Sequence, residues 1–219
     1  RKFRYLYKKY FEDQRLVNVH GDELHSRRGG RISPYDRTIK KIADEYDWDW
    51  RLLASLVYQE SRFNINARAW TGAFGLMQLT RRTAKSWKVT DIFDPAQNIR
   101  AGVHHLKRLH DRFSKAGPLD RLSIALAAYN IGFGHIADAR LLAKKLGKAD
   151  DTWHGVRSVL PLLQQKKYYS TLEYRYARGS EAVMYVDRIR TYFKMLQPVL
   201  DELALDTTKE DVPRVYPGL

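Results

Sequence analysis

Along most of this chain apolar residues recur at three- and four-residue intervals, and the period-two alternation of half-buried strands is almost absent. Ser33-Pro34-x-Asp36 reads as a helix start, with Ser33 as N-cap, Pro34 in the first turn and an acid three residues after the cap. Ile39, Ile42, Ala43 and Tyr46 then follow at helical spacing. Asp49 is placed to cap a second helix whose stripe is Leu52, Leu53, Leu56 and Val57 and whose end lies near Glu60. Asp94-Pro95 opens another, with Ile99, Val103, Leu106 and Leu109 or His110 on one face. Pro118 introduces a run over 122–128 so rich in Ala and Leu that it reads as a helix buried on most sides, ending at Tyr129-Asn130. A further helix follows Gly134, and Ser180 is placed to cap a long one containing Ala182, Val183, Tyr185, Val186, Ile189 and Phe193. The pattern predicts an all-α domain.

At 219 residues, 44% hydrophobic and 29% charged, the chain can bury one sizeable core. Residues 21–31 are rich in Gly, Arg and Ser and read as a linker, which divides the chain into an appendage over 1–31, the helical domain over 32–200 and a tail over 201–219. The opening Arg1-Lys2-Phe3-Arg4, with neither Met nor an apolar leader, reads as a mature or trimmed product. Without cysteine, disulfides, thiolate metal sites and a Cys nucleophile are excluded together. The net charge of +14 favours an anionic partner. Half of it lies in residues 1–41, where twelve Lys/Arg face five Asp/Glu among interleaved aromatics. That composition is compatible with single-stranded nucleic acid, with an acidic polymer, or with a solvated basic helix face.

Several chemistries lack their motifs. There is no P-loop, no strand-led GxGxxG, no HExxH and no Gly-x-Ser-x-Gly. His104 and His105 are adjacent, so they point to different sides of a helix and cannot clamp one metal as an i,i+4 pair does. The informative stretch is Tyr58-Gln-Glu60-Ser-Arg-Phe-Asn followed by Gly72-Ala-Phe-Gly75-Leu-Met-Gln78. Glu60 ends an apolar helix, with Leu53, Leu56 and Val57 on or beside its face, and desolvation there raises a carboxyl pKa toward proton-donating range. Gly72 and Gly75 permit a turn of little bulk, and Gln78 offers both donor and acceptor to sugar hydroxyl or N-acetyl groups. The bland alternative is a helix end followed by a glycine turn, with Glu60 salt-bridged to Arg62 or Arg51.

Gln59-Glu60-Ser61, then Gly72-Ala-x-Gly-Leu-Met-Gln78, then Ala128-Tyr129-Asn130 resemble, in that order, the lytic transglycosylase family with the goose-lysozyme-like fold. Trp48-Asp-Trp-Arg-Leu-Leu-Ala-Ser adds a likeness to the membrane-bound lytic murein transglycosylase F type, and the resemblance covers residues 34–197. It implies Glu60 as the family's single catalytic acid/base, Met77 and Gln78 beside it in a glycan groove, and Tyr129 and Asn130 at the groove floor. Glu181-Ala-Val-Met-Tyr185-Val resembles a late family element and implies a hydrogen bond from Tyr185 near Glu60. Ser61, Gly75 and Glu181 would support the site. For Tyr129, Asn130 and Tyr185 plain core packing is the alternative. Where the family often has a serine nine residues after the glutamate, this chain has Ala69, and Thr71 or Thr80 is a candidate substitute.

The resemblance further implies cleavage of the bond between N-acetylmuramic acid and N-acetylglucosamine in peptidoglycan, giving 1,6-anhydromuramoyl ends with no metal and no cofactor. The partner would be the glycan strand rather than nucleic acid. The location would be the periplasm, attached to the outer membrane through a segment outside this chain. Oligomeric state is left open. Two readings compete with this one: a goose-type lysozyme that hydrolyses the same bond with water, and a non-catalytic peptidoglycan-binding module. A nucleic-acid binder rests on charge alone.

Overall fold

The computed structural model describes residues 32–206, with side chains described to residue 196. The predicted appendage and the tail beyond 206 therefore lie outside the described residues.

The first helix, α1 (Asp36–Glu45), starts later than Ser33 would have it. Asp36 reaches backward instead: its carboxylate accepts from the Ser33 hydroxyl at 2.6 Å and from the backbone N–H groups of Ser33 and Ile32, both at 2.8 Å. The acid, not the serine, organises the turn, because one carboxylate can satisfy three donors at once. α2 (Trp50–Ser61) follows, capped by Asp49 as its spacing predicts, with the Arg51 N–H donating at 2.8 Å. Every residue of α2 from Arg51 to Tyr58 is buried, so this helix is enclosed rather than laid on a surface.

A hairpin of two-residue strands, β1 (Ala73–Phe74) and β2 (Leu79–Thr80), interrupts the helices, paired antiparallel with Ala73 opposite Thr80. Next come α3 (Arg81–Ser86), α4 (Pro95–Arg112), α5 (Pro118–Ile131), α6 (Phe133–Lys145) and α7 (Trp153–Val159). A 3-10 turn (Leu160–Gln164), the single turn α8 (Lys166–Tyr169) and the long α9 (Gly179–Asp206) complete the order. Ser180 lies inside α9, where its backbone N–H donates to Gln164 at 3.0 Å. α9 also runs past residue 200 without a break.

The core forms where α9 packs on both α2 and α5. Leu53, Leu56 and Val57 of α2, the run of buried residues Leu122 to Ala128 of α5, and Ala182, Val186, Ile189 and Phe193 of α9 are all essentially removed from water. The alanines of α5 let the helices approach closely. α1 closes α2 from one side, α4 and α6 flank α5, and the hairpin with α3 sits against α4. Among the described residues the all-α expectation holds, with the hairpin as the one departure. Its strands are too short for alternation to register in the sequence.

Candidate active site

Glu60 lies in the last turn of α2, whose following residues Arg62 and Phe63 both take positive φ, 51° and 60°. Two successive non-glycine residues in the left-handed region are costly, and such strain persists only where the surroundings impose it. Here it turns the chain sharply away, leaving Glu60 at a helix end instead of continuing a surface helix. Ser61 Oγ donates back to the Val57 carbonyl at 3.1 Å, a local bond that finishes the helix.

The Glu60 carboxyl keeps only partial exposure, and burial pushes its pKa up from the ordinary 4.5 to about 7. Tyr185, buried on α9, donates its hydroxyl to Glu60 Oε1 and pulls in the opposite direction. Desolvation wins. Tyr129, at the end of α5, is also close enough for the Glu60 charge to raise its phenol pKa further above the normal value, after burial as the main cause. Thus one residue from each of the three core helices converges on one spot. Arg51, weighed from sequence as a salt-bridge partner of Glu60, instead pairs with Asp49 at 2.6 Å at the opposite end of α2.

The hairpin supplies the adjoining wall. Gly75 has φ +75°, and a Cβ there would collide with the Asn98 side chain and the Ile92 carbonyl. With glycine in place, Asn98 of α4 accepts from the Met77 N–H at 2.7 Å and donates to the carbonyls of Ile92 at 2.7 Å and Phe74 at 3.2 Å. Gln78, itself at φ 46°, spends its amide nitrogen on the carbonyls of Gly75 at 2.9 Å and Ala67 at 3.3 Å. That fixes the side chain and turns its carbonyl oxygen into the acceptor available to a ligand. Tyr129 donates to the Met77 carbonyl at 2.8 Å, which ties α5 to the hairpin.

Gln78, Tyr129 and Asn130 line a groove of about 780 Å³ that runs between the hairpin with α3 and the α5–α6 junction. Its other walls carry Trp87, His105, Arg82, Arg108, Arg112 and Tyr174. Glu60 is not part of this lining, but the groove's Tyr129 is close enough to feel its charge.

Two residues named from sequence are placed elsewhere. The Met77 side chain is 0% exposed and packs on Gly102 in the core, so it cannot line a groove; only its carbonyl contributes, through Tyr129. Glu181 is exposed on α9 and pairs with Arg178 at 3.4 Å, one helical turn from Tyr185 and away from the buried cluster. Ala69 takes part in the turn before β1 through backbone bonds alone. Thr80 does line the groove, but its hydroxyl already accepts from the Thr83 N–H at 3.2 Å. Thr71 is exposed and does not line it.

His105, weighed from sequence only as a metal ligand, and the three groove arginines are lining residues that the sequence did not single out. His105 sits 5.5 Å from the Tyr129 ring, and burial holds its imidazole pKa below the usual value. The signal was present: His105 and Leu109 follow Gly102 on the face of α4 turned toward the hairpin. Among the described residues no group of three or more His, Cys, Asp or Glu could hold a metal ion.

The model of the transglycosylase SLT domain family matches residues 37–152, which contain Glu60, the hairpin and the Tyr129-Asn130 pair. This chain belongs to the transglycosylase SLT domain family. The chain is 46% identical over 176 residues to the membrane-bound lytic murein transglycosylase F of Desulfosudis oleivorans, an alignment covering 80% of this chain and 39% of that protein. It is 42% identical over 214 residues to the protein of the same name from Hahella chejuensis, covering 95% and 42% respectively. The chain thus spans about two-fifths of the length of these curated relatives. Among solved structures, an inactive mutant of the lytic transglycosylase Slt of Pseudomonas aeruginosa has the same fold at TM-score 0.55 and 22% identity, over 77% of this chain and 24% of that one. The SLT domain has a lysozyme-like helical fold, as the resemblance implied.

Proposed function

We propose that this SLT domain is a peptidoglycan lytic transglycosylase in which Glu60 acts alone as general acid and then general base. The observation that carries the reading is a carboxyl group whose pKa is lifted to about 7 by burial, with a neutral phenol as its hydrogen-bond partner and with Tyr129 of the groove close enough to feel its charge. An ordinary glycosidase needs a second carboxylate as nucleophile or base. Glu181, the nearest second carboxylate in the blocks that carry the resemblance, is exposed and pairs with Arg178. A lone acid suffices where the substrate supplies the nucleophile.

In this scheme protonated Glu60 gives its proton to the oxygen joining N-acetylmuramic acid to N-acetylglucosamine as the C1–O bond breaks. The muramyl N-acetyl oxygen stabilises the positive charge developing at C1, as in substrate-assisted glycosidases. The Glu60 carboxylate then removes the proton from the C6 hydroxyl of the same sugar while that oxygen closes onto C1. The proton count is restored, no water enters, and the product ends in 1,6-anhydromuramic acid. Intramolecular attack carries the proximity advantage. Tyr185 holds the carboxyl in one orientation, and Gln78, Tyr129 and Asn130 bear on the sugars. The periplasm is the compartment where such a substrate is found. Association with the membrane is what the relatives' names state for them, and among the described residues no helix is long and apolar enough to cross one.

Product mass tests the proposal. Soluble fragments from purified sacculi should be one water lighter than reducing-end fragments, and Glu60→Gln should release almost none. Reducing ends in their place would assign the hydrolytic, goose-lysozyme-type reaction, and binding without release would leave a carrier module.

A further inference from the structure

A second concavity lies on the other side of α3 from the groove. It encloses about 510 Å³ and its rim carries four cations, Arg68, Arg81, Lys85 and Lys88, with no acidic residue in its lining. Its floor is apolar: Phe74 and Phe93, their rings edge to face at 6.2 Å, together with Val89 and Ile92. The Arg68 guanidinium stands 4.5 Å from the Phe93 ring centre and that of Arg81 5.3 Å from Phe74, so both forks are held over aromatic faces before any ligand arrives. The loop behind them is pinned, since Gln97 Oε1 accepts from the Thr90 N–H and hydroxyl, both at 2.9 Å.

Several cations elsewhere on the molecule are answered by acids. Arg100 pairs with Glu45, Lys107 and Arg121 with Asp111, Arg140 with Asp150 and Arg157 with Asp187. Among the described residues none of the four rim cations has an ion-pair partner. A cluster of like charges held together without counter-charges is destabilising by itself. It makes sense as half of an interaction whose other half is anionic.

α3 tells where that anion comes from. Arg81, Ala84, Lys85 and Lys88 face the cup, while Arg82, Thr83, Ser86 and Trp87 face the groove. The two sites therefore share one helix as a wall, about 10 Å thick. A peptide of four or five residues reaches about 13–18 Å when extended. That is enough to leave a sugar in the groove, cross the wall and place carboxylates among the four cations, with its aliphatic atoms on the phenylalanines.

We propose that this cup binds the carboxylates of a stem peptide borne by the glycan strand in the groove, so that the domain reads peptide substitution beside the bond it cuts. The inference rests on the peptidoglycan reading above. Charge complementarity and cup size favour a short acidic peptide over an extended lipid surface.

The test uses Arg81→Glu/Lys85→Glu in the whole chain, with Lys85→Glu alone as a second variant that disturbs no ring contact. A tetrapeptide released from peptidoglycan is titrated calorimetrically into wild type and variants. Turnover is measured on peptide-bearing and on peptide-stripped glycan. The expected result is peptide affinity weakened about tenfold in the double variant and less in the single one. KM for peptide-bearing glycan should rise by a similar factor, with kcat and all turnover of stripped glycan unchanged. Peptide binding that is absent in wild type, or equal in all three proteins, overturns the proposal. So does a loss confined to phosphatidylglycerol vesicles, which would make the cup a lipid surface. Peptide binding through the cup in a wild type that cleaves neither glycan upholds this site while removing the transglycosylase reading.

Discussion

One helix carries two carboxyl groups at its two ends, and they have opposite fates. Asp49, 3% exposed, caps the N-terminus of α2, accepts the Arg51 N–H and is clasped by the Arg51 guanidinium at 2.6 Å. Glu60, at the C-terminus, meets apolar side chains and a neutral tyrosine hydroxyl, and its pKa rises to about 7. Helix polarity reinforces the difference, because the positive N-terminal end favours a carboxylate and the negative C-terminal end disfavours one. The chemical type is the same at both ends; what separates a structural acid from a proton-transfer acid is the set of donors each meets.

Removing each acid in turn should separate the two roles. Glu60→Gln keeps shape and packing but cannot shuttle a proton, so release of soluble fragments from sacculi should fall by about 10³-fold or more, roughly 4 kcal/mol in barrier. Retention of activity within tenfold would end the comparison. The same variant carries a stability signature. Because the folded pKa of Glu60 is raised from 4.5 to about 7, the native state keeps a proton that the unfolded chain has lost across that interval. Wild-type stability is then fullest below 4.5 and declines as pH rises through about 7, by at most about 3 kcal/mol from this group. Urea denaturation of Glu60→Gln against wild type should show the gap opening over that window. Asp49→Ala should do the reverse: it strands the buried Arg51 charge and removes a cap, costing about 3–4 kcal/mol of stability, with rate per folded molecule unchanged.

The contrast between the ends was only half visible in the sequence. Asp49 before an apolar stripe announces a cap, and the apolar surroundings of Glu60 follow from helical spacing, so both positions could be read along a single helix. What the spacing could not supply is partnership across the fold. Tyr185 lies 125 positions from Glu60, and its bond became an expectation only through family resemblance. Met77 misled because a motif reports which residues recur together, not which way each side chain points: the hairpin turns Gln78 outward and Met77 into Gly102. Arg82, Arg108 and Arg112 passed unnoticed because a basic residue on an amphipathic helix looks the same in sequence whether it faces solvent or a groove. Ser33 and Asp36 were both legible, but which of them organised the turn depends on backbone direction, which composition leaves undetermined.

Tyr185→Phe sharpens the comparison from the side of the partner. The hydroxyl lowers the Glu60 pKa, so its loss should raise that value further. The protonated acid then survives to higher pH, and the alkaline limb of the pH–rate profile should move upward from about 7. At the optimum the rate should drop by about tenfold, since one hydrogen bond that orients the carboxyl is worth about 1–1.5 kcal/mol. A limb that moves downward would mean that Tyr185 acts on Glu60 other than as a donor.

Ser61→Ala should have the smallest effect and is the control on proximity. Ser61 stands next to Glu60 in the chain, yet its hydroxyl turns back to the Val57 carbonyl and finishes the helix. Such a bond on a partly exposed side chain contributes no more than about 1 kcal/mol, because water can take the place of the lost hydroxyl. The variant should lose at most that much stability by urea denaturation and keep the wild-type pH–rate profile. A displaced alkaline limb would put the serine hydroxyl in contact with the acid during turnover. The partnership that sets Glu60 apart from Asp49 would then extend beyond the two tyrosines.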